Sequence, residues 1–135
     1  MRVLIIEDSD SIVRMIEALV SARGFEVRSA SSGARGLEEA FSWRPHVILL
    51  DINLPGSYDG ITVCQKIRAD DALQDTPVIV ISATNDDEVK RRVHEAGATV
   101  CYEKPFSPMA LLKEMESLQR RSGQMKVAPA SSSND

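Results

Sequence analysis

A short apolar run restricts the fold of this 135-residue chain more than any other feature: Val47, Ile48, Leu49 and Leu50 lead directly into Asp51. An unbroken run of this kind is typical of a parallel strand that is buried on both faces. In open α/β sheets, ligands bind in the crevice beyond the carboxyl ends of such strands. The run therefore predicts a parallel α/β fold and makes Asp51 a candidate functional residue.

Three more predicted strands end in polar residues. Because the carboxyl ends of parallel strands meet at one edge of a sheet, we expect these residues to gather around Asp51. Each group follows its strand directly: Glu7 and Asp8 after Arg2 to Ile6, Ser82 after Pro77 to Ile81, and Lys104 and Pro105 after Val100 to Tyr102.

The segments between the strands have helical periodicity over about ten to fifteen residues, which favours βαβ units and a doubly wound sheet. The first helix has an apolar stripe from Ile12 through Met15 to Val20. The second is expected to point Phe41 inward and to end before Pro45. Residues 25 to 30 alternate between apolar and polar, which predicts an exposed edge strand.

The last part of the chain separates into a weakly anchored helix, a firmly packed helix and a tail. The fourth helix, about Asp86 to Ala96, has only Val89, Val93 and Ala96 to bury, so we expect it to be the least firmly anchored. Ser107 begins a final helix that packs through its leucines. From residue 121 the composition is that of a polar tail or linker, so we predict one domain at 1–120 and a tail at 121–135.

Composition narrows the function classes. The net charge of -4 gives no basic surface for direct binding of nucleic acid. No segment approaches the roughly 18 apolar residues of a membrane span, and no signal peptide is evident, so the expected location is the cytoplasm. Cys64 and Cys101 lack metal-ligand spacing and are expected to be reduced structural thiols.

The joint spacing of Glu7-Asp8, Asp51, Ser82 and Lys104-Pro105 resembles the receiver domain of two-component response regulators. The resemblance covers about residues 1 to 120. It implies a five-stranded parallel sheet in the order 2-1-3-4-5 with five flanking helices, a flavodoxin-like arrangement. It also implies a cis peptide bond before Pro105.

Three carboxylates packed together repel one another and raise each other's pKa values unless a cation neutralises them. Oxygen ligands of this kind favour a hard divalent ion, Mg²⁺ or in its place Mn²⁺. The resemblance implies that Asp8 and Asp51 bind the metal directly and that Glu7 does so directly or through water. It implies that the backbone carbonyl of Asn53 completes the set.

The resemblance also implies the chemistry. Asp51 would accept a phosphoryl group from a sensor histidine kinase or a phosphotransfer protein and form an acyl phosphate, with Ser82 and Lys104 contacting the phosphoryl oxygens. The modification would switch the surface of helix 4, strand 5 and helix 5. The chain would thus be a signalling switch and not a turnover enzyme, acting on a downstream protein or on an output domain missing from this sequence.

Three departures from the usual receiver pattern are visible. The loop from Leu54 to Gly60 is one residue longer than the common form. The position of the family's switch aromatic holds Cys101, and Tyr102 follows it, so the tyrosine should face the opposite side of its strand. Charged residues used in a common dimer interface are replaced, which favours a monomer or a different, weak dimer.

Other interpretations remain. Taken singly, each acid is as well explained as a helix cap, Lys104 as a surface lysine and Ser82 as a turn hydroxyl. A dehalogenase-type phosphatase needs a second aspartate where Asn53 stands, and a flavin phosphate would be repelled by Glu7 and Asp8. A degenerate receiver that acts only as an unphosphorylated interaction module is the strongest rival. It would lack an acid or the lysine, and this sequence lacks neither.

Overall fold

The computed structural model describes residues 1–83 and 86–131, with side chains described up to residue 120. Strands and helices alternate throughout. The strands are β1 (Arg2–Ile6), β2 (Glu26–Ala30), β3 (Val47–Asp51), β4 (Val78–Ser82) and β5 (Val100–Glu103). The helices are α1 (Asp10–Ser21), α2 (Gly33–Trp43), α3 (Gly60–Ala69), α4 (Asp87–Glu95) and α5 (Pro108–Ser131).

The five strands form one parallel sheet in the order β2-β1-β3-β4-β5, as predicted. Every residue of β3 and β4 is buried, because these strands are central and helices cover both of their faces. Strand β2 lies at the edge and exposes most of its residues, in agreement with its alternating sequence.

Side chains alternate between two cores, one on each face of the sheet. Leu4 and Ile6 of β1 belong to the core that includes residues of α2, α3 and α4. Val3 and Ile5 belong to the core that includes residues of α1 and α5. Burial of each such aliphatic side chain contributes about 1.5–3 kcal/mol.

Two apolar side chains expected to face the interior are exposed. Phe41 in α2 is 40% exposed and Met15 in α1 is 39% exposed, so the inward orientation predicted for Phe41 is wrong. Successive residues of a helix differ by about 100° around its axis. Because Ala40 and Ile16 are fully buried, their neighbours Phe41 and Met15 are turned toward solvent.

Helix α4 is thinly packed, as its sequence predicts. Val93 and Ala96 are buried, whereas Val89 is only half-buried. The turn after α4 is held by Arg68 at the end of α3, whose Nε donates to Gly97 O at 2.8 Å. The same guanidinium donates to Thr76 O at 2.6 Å and to Leu73 O at 3.2 Å. Arg68 thus joins the carboxyl end of α4 to the loop before β4.

Helix α5 extends past residue 121, where the sequence analysis placed the start of a polar tail. The division into a domain at 1–120 and a tail at 121–135 stays a prediction. No helix among the described residues is long and apolar enough to cross a membrane.

Candidate functional site

Three acidic side chains meet at the carboxyl edge of the sheet. Glu7 follows β1 directly, Asp8 comes next, and Asp51 is the last residue of β3. One carboxylate oxygen from each lies within 4.8 Å of the others. Glu7 and Asp51 are buried, being 4% and 3% exposed, while Asp8 is exposed. The cluster is therefore open to solvent on the Asp8 side only in part, with two of its charges in the interior.

Lys104 is the cation of this site. Its Nζ lies 3.3 Å from Glu7 Oε1 and 3.4 Å from Asp51 Oδ2. The backbone N–H of Lys104 donates to Ser82 O at 2.7 Å, which continues the pairing of β4 and β5 to the edge of the sheet. The Lys104-Pro105 peptide bond is cis, as expected.

Backbone N–H groups orient both buried carboxylates. The N–H of Asn53 donates to Asp51 Oδ1 at 3.0 Å, and the N–H of Ser9 donates to Glu7 Oε2 at 3.1 Å. These bonds leave Glu7 Oε1 and Asp51 Oδ2 directed toward Lys104. Glu7 Oε1 is buried and accepts no hydrogen bond, because its contact with Lys104 is an ion pair of poor hydrogen-bond geometry.

Gly60, the first residue of α3, lets the backbone pack closely against the end of β3. A Cβ at this position would lie 2.4 Å from Ile52 Cα and 2.6 Å from Asp51 O. The Gly60 N–H also donates to Ile52 O at 2.9 Å. Only a residue without a side chain therefore fits here, and the contact fixes the backbone at Asp51.

The electrostatics of the cluster are unusual at Glu7. Burial raises the pKa of its carboxyl from 4.5 to about 7, and the adjacent Asp51 carboxyl adds to this effect. The Ser9 N–H and the charge of Lys104 oppose the shift. One lysine thus compensates three acids incompletely. The orphaned Glu7 oxygen and the all-oxygen donor set fit a hard divalent cation such as Mg²⁺.

Ser82 is the last residue of β4 and is 1% exposed. Its neighbour Ile81 pairs with Asp51, so Ser82 lies one step farther along the same edge of the sheet. Sequence reasoning thus placed Ser82 beside the cluster, and the register agrees. Its role toward a phosphoryl group stays a prediction.

Cys101 and Tyr102 lie on opposite faces of β5. Cys101 is partly buried against the core that includes Val93 and Ala96, and Tyr102 packs on the core that includes α5. The Tyr102 hydroxyl donates to Glu114 Oε1 at 3.2 Å. The tyrosine is therefore held on the α5 side, and a thiol occupies the α4 side.

A cavity of about 490 Å³ opens beside the carboxylates, between the loop after β3 and helix α4. Its lining includes Asp8, Asn53, Asp59, Val89 and Arg92. The sequence analysis did not single out Arg92. A basic run on a helix is usually a solvated face, and only the packing of α4 shows which of its side chains faces the site.

Known proteins resemble this chain along most of its length. The family model for the response regulator receiver domain matches residues 3–116. The DNA-binding dual master transcriptional regulator RpaA of Synechocystis is 32% identical over 94% of this chain and 52% of its own length. The transcriptional regulatory protein PrrA of Mycobacterium leprae is 37% identical over 99% of this chain and 54% of its own length.

Solved structures agree. The chemotaxis protein CheY4 of Vibrio cholerae superposes with a TM-score of 0.80 at 31% identity, covering 87% of this chain and 97% of that one. The chain spans about half the length of the transcriptional regulators RpaA and PrrA.

Proposed function

Since the chain belongs to the response regulator receiver family of two-component systems, we propose that Asp51 is its phosphoacceptor. The observation that carries the proposal is the meeting of Asp51 with two acids and Lys104 at one edge of the sheet. A buried carboxylate with a lysine 3.4 Å away matches the needs of phosphoryl transfer, which depends mainly on positioning and charge compensation.

The residues around Asp51 divide the work. The Asn53 N–H holds Oδ1, which leaves the other oxygen of Asp51 available to attack phosphorus. Lys104 then supplies positive charge to the phosphoryl oxygens, and the Ser82 hydroxyl donates a hydrogen bond to another of them. Because both carboxylate partners of Lys104 are buried, its charge is little screened by water at the site.

Glu7, Asp8, Asp51 and the carbonyl of Asn53 would hold a magnesium or manganese ion. When bound, the ion would neutralise the cluster and polarise the phosphoryl group. Asp8 is the exposed member of the cluster, so it is the residue through which the site meets solvent. Glu7 has a buried oxygen without a hydrogen bond, which a cation would satisfy.

The partner that donates the phosphoryl group is a sensor histidine kinase or a histidine phosphotransfer protein, as the family suggests. The output would pass through α4, β5 and α5, because α4 packs thinly beside the site and a thiol, not an aromatic ring, lies on its side of β5. The reader of that surface is a downstream protein or an output domain. The chain would act in the cytoplasm as a switch and not as a turnover enzyme.

The test is phosphorylation by acetyl phosphate with Mg²⁺, followed by intact mass, in wild type and in Asp51→Asn. We expect one added phosphoryl group in wild type and none in the variant, since an amide cannot form the acyl phosphate. Phosphorylation retained in Asp51→Asn would refute the assignment. Metal binding without modification of wild type would support the degenerate receiver instead.

A further inference from the structure

The three basic residues at the centre of α4 differ in what they contact. Lys90 Nζ pairs with Glu103 at 3.2 Å. Arg91 pairs with Glu88 and, at 2.7 Å, with Glu95. Among the residues that the structure describes, no carboxylate pairs with the Arg92 guanidinium and no side-chain hydrogen bond engages it.

Arg92 lines the cavity of about 490 Å³ beside the phosphoacceptor. Asn53, on another wall of this cavity, is hydrogen-bonded to Asp51 through its backbone. Asp8 and Asp59 also line the cavity, and Arg92 is the one cation among the lining residues in the described part of the chain. Arg92 is thus placed to meet an anion that the two aspartates would repel.

We propose that Arg92 binds the carboxylate that leaves when a small acyl phosphate phosphorylates the protein, and so selects such donors. The proposal rests on Asp51 being the phosphoacceptor. An oxygen of Asp51 forms a bond to phosphorus, the bond from phosphorus to the anhydride oxygen breaks, and its electron pair departs on the carboxylate. Negative charge therefore grows on the leaving group, and a guanidinium is the side chain that pairs best with a carboxylate.

A donor with a neutral leaving group gains nothing from this contact. In phosphoramidate the nitrogen is already protonated, and it leaves as ammonia with the electron pair of the broken bond. Phosphohistidine likewise leaves as neutral imidazole once its ring is protonated. An interaction that strengthens only as charge develops raises the rate for acyl phosphates alone.

The experiment compares the phosphorylation rates of wild type and Arg92→Gln with acetyl phosphate and with phosphoramidate, at saturating Mg²⁺. Arg91→Gln is the matched control: it removes the same charge from the same helix, at a residue paired with Glu88 and Glu95. Arg92→Lys keeps the charge and loses the planar, two-pronged geometry.

For Arg92→Gln we expect a roughly fivefold slower reaction with acetyl phosphate, the upper range for one solvent-screened charge contact, and less than a twofold change with phosphoramidate. Arg91→Gln should match wild type with both donors, and Arg92→Lys should fall between. Equal losses with both donors, or no loss with acetyl phosphate, would overturn the proposal. A normal reaction with phosphoramidate shows in the same experiment that Asp51 still accepts phosphoryl groups, so failure of this inference is distinguishable from failure of the proposed function.

Discussion

The Tyr102 hydroxyl donates a hydrogen bond of 3.2 Å to Glu114 Oε1, and this contact ties β5 to α5 on the face opposite Cys101. In this receiver, therefore, the ring next to the usual switch position is already engaged with the last helix. The ring is not placed to turn toward α4, because it belongs to the other core.

Tyr102→Phe tests this arrangement. We expect the free energy of unfolding to fall by about 0.5–1.5 kcal/mol, the usual net value of one hydrogen bond. The rate of phosphorylation should be unchanged, since Tyr102 does not contact the carboxylates. Urea unfolding and acetyl phosphate kinetics measure the two quantities, and a slower phosphorylation with unchanged stability would contradict the assignment.

Cys101 should report the state of α4. Burial raises the pKa of both thiols, but Cys64 is fully buried and Cys101 only partly so. A thiol reagent at mildly alkaline pH should label Cys101 first. If phosphorylation displaces α4, beryllofluoride with Mg²⁺ should change the labelling rate of Cys101, with Cys101→Ser as the blank. An unchanged rate would place the switch elsewhere.

Stability of the metal-free protein should depend on pH through Glu7. Its pKa is about 7 in the folded protein and near 4.5 when unfolded, so between these pH values the folded state binds more protons. Stability from this group is present below pH 4.5 and is lost as the pH rises through about 7.

The magnitude is on the order of 2 kcal/mol, because each unit of pKa shift corresponds to about 1.4 kcal/mol and burial is partial. Urea unfolding in EDTA across this pH range, for wild type and Glu7→Gln, measures it as the difference between the two proteins. A difference that does not vary with pH would show that Glu7 does not titrate in this range.

Magnesium should stabilise the folded protein because it binds the folded cluster and not the unfolded chain. At a concentration one hundred times its dissociation constant the gain is about 2.7 kcal/mol. Asp8→Asn should remove most of this gain and leave the metal-free fold intact, since Asp8 is exposed. Asp10→Asn, an exposed aspartate in the first turn of α1, is the control and should retain the gain seen in thermal unfolding.

Gly60→Ala should disturb the phosphoacceptor through the backbone. The new Cβ would meet Ile52 Cα and Asp51 O, so β3 must shift, at a cost of about 1–3 kcal/mol. Gly24→Ala is the control: its φ of 81° makes alanine strained, but no atom lies within 4 Å of the added Cβ. Both variants should be less stable, and only Gly60→Ala should be phosphorylated more slowly. Equal rates would separate Gly60 from the positioning of Asp51.

Much of this architecture could be predicted from the sequence. The buried central strands are recognisable because continuous apolar runs have few alternatives, and strand ends in a parallel sheet must meet at one edge. The clustering of Glu7, Asp8 and Asp51 follows from that rule. The opposite orientation of Cys101 and Tyr102 follows from the alternation of a strand.

The rest depends on packing that periodicity does not determine. A helical stripe gives the direction of the core and not its width, so Phe41 was expected to point inward and is exposed. The bonds from Arg68 to the carbonyls of two loops have no signature, because any arginine of that reach would look the same. Arg92 differs from Arg91 only in which neighbours the fold brings to it.

Helix α4 is restrained unequally at its two ends. Arg68 binds the carbonyl of Gly97 just after the helix, whereas the amino end begins at Asp86 and Asp87, where the described contact is the Asp86 cap on the Glu88 N–H. A rod of nine residues, about 13 Å long, that is pinned at one end swings and does not slide. The largest displacement would fall at the free end, nearest Ser82, so a small event at Asp51 would be converted there into rotation.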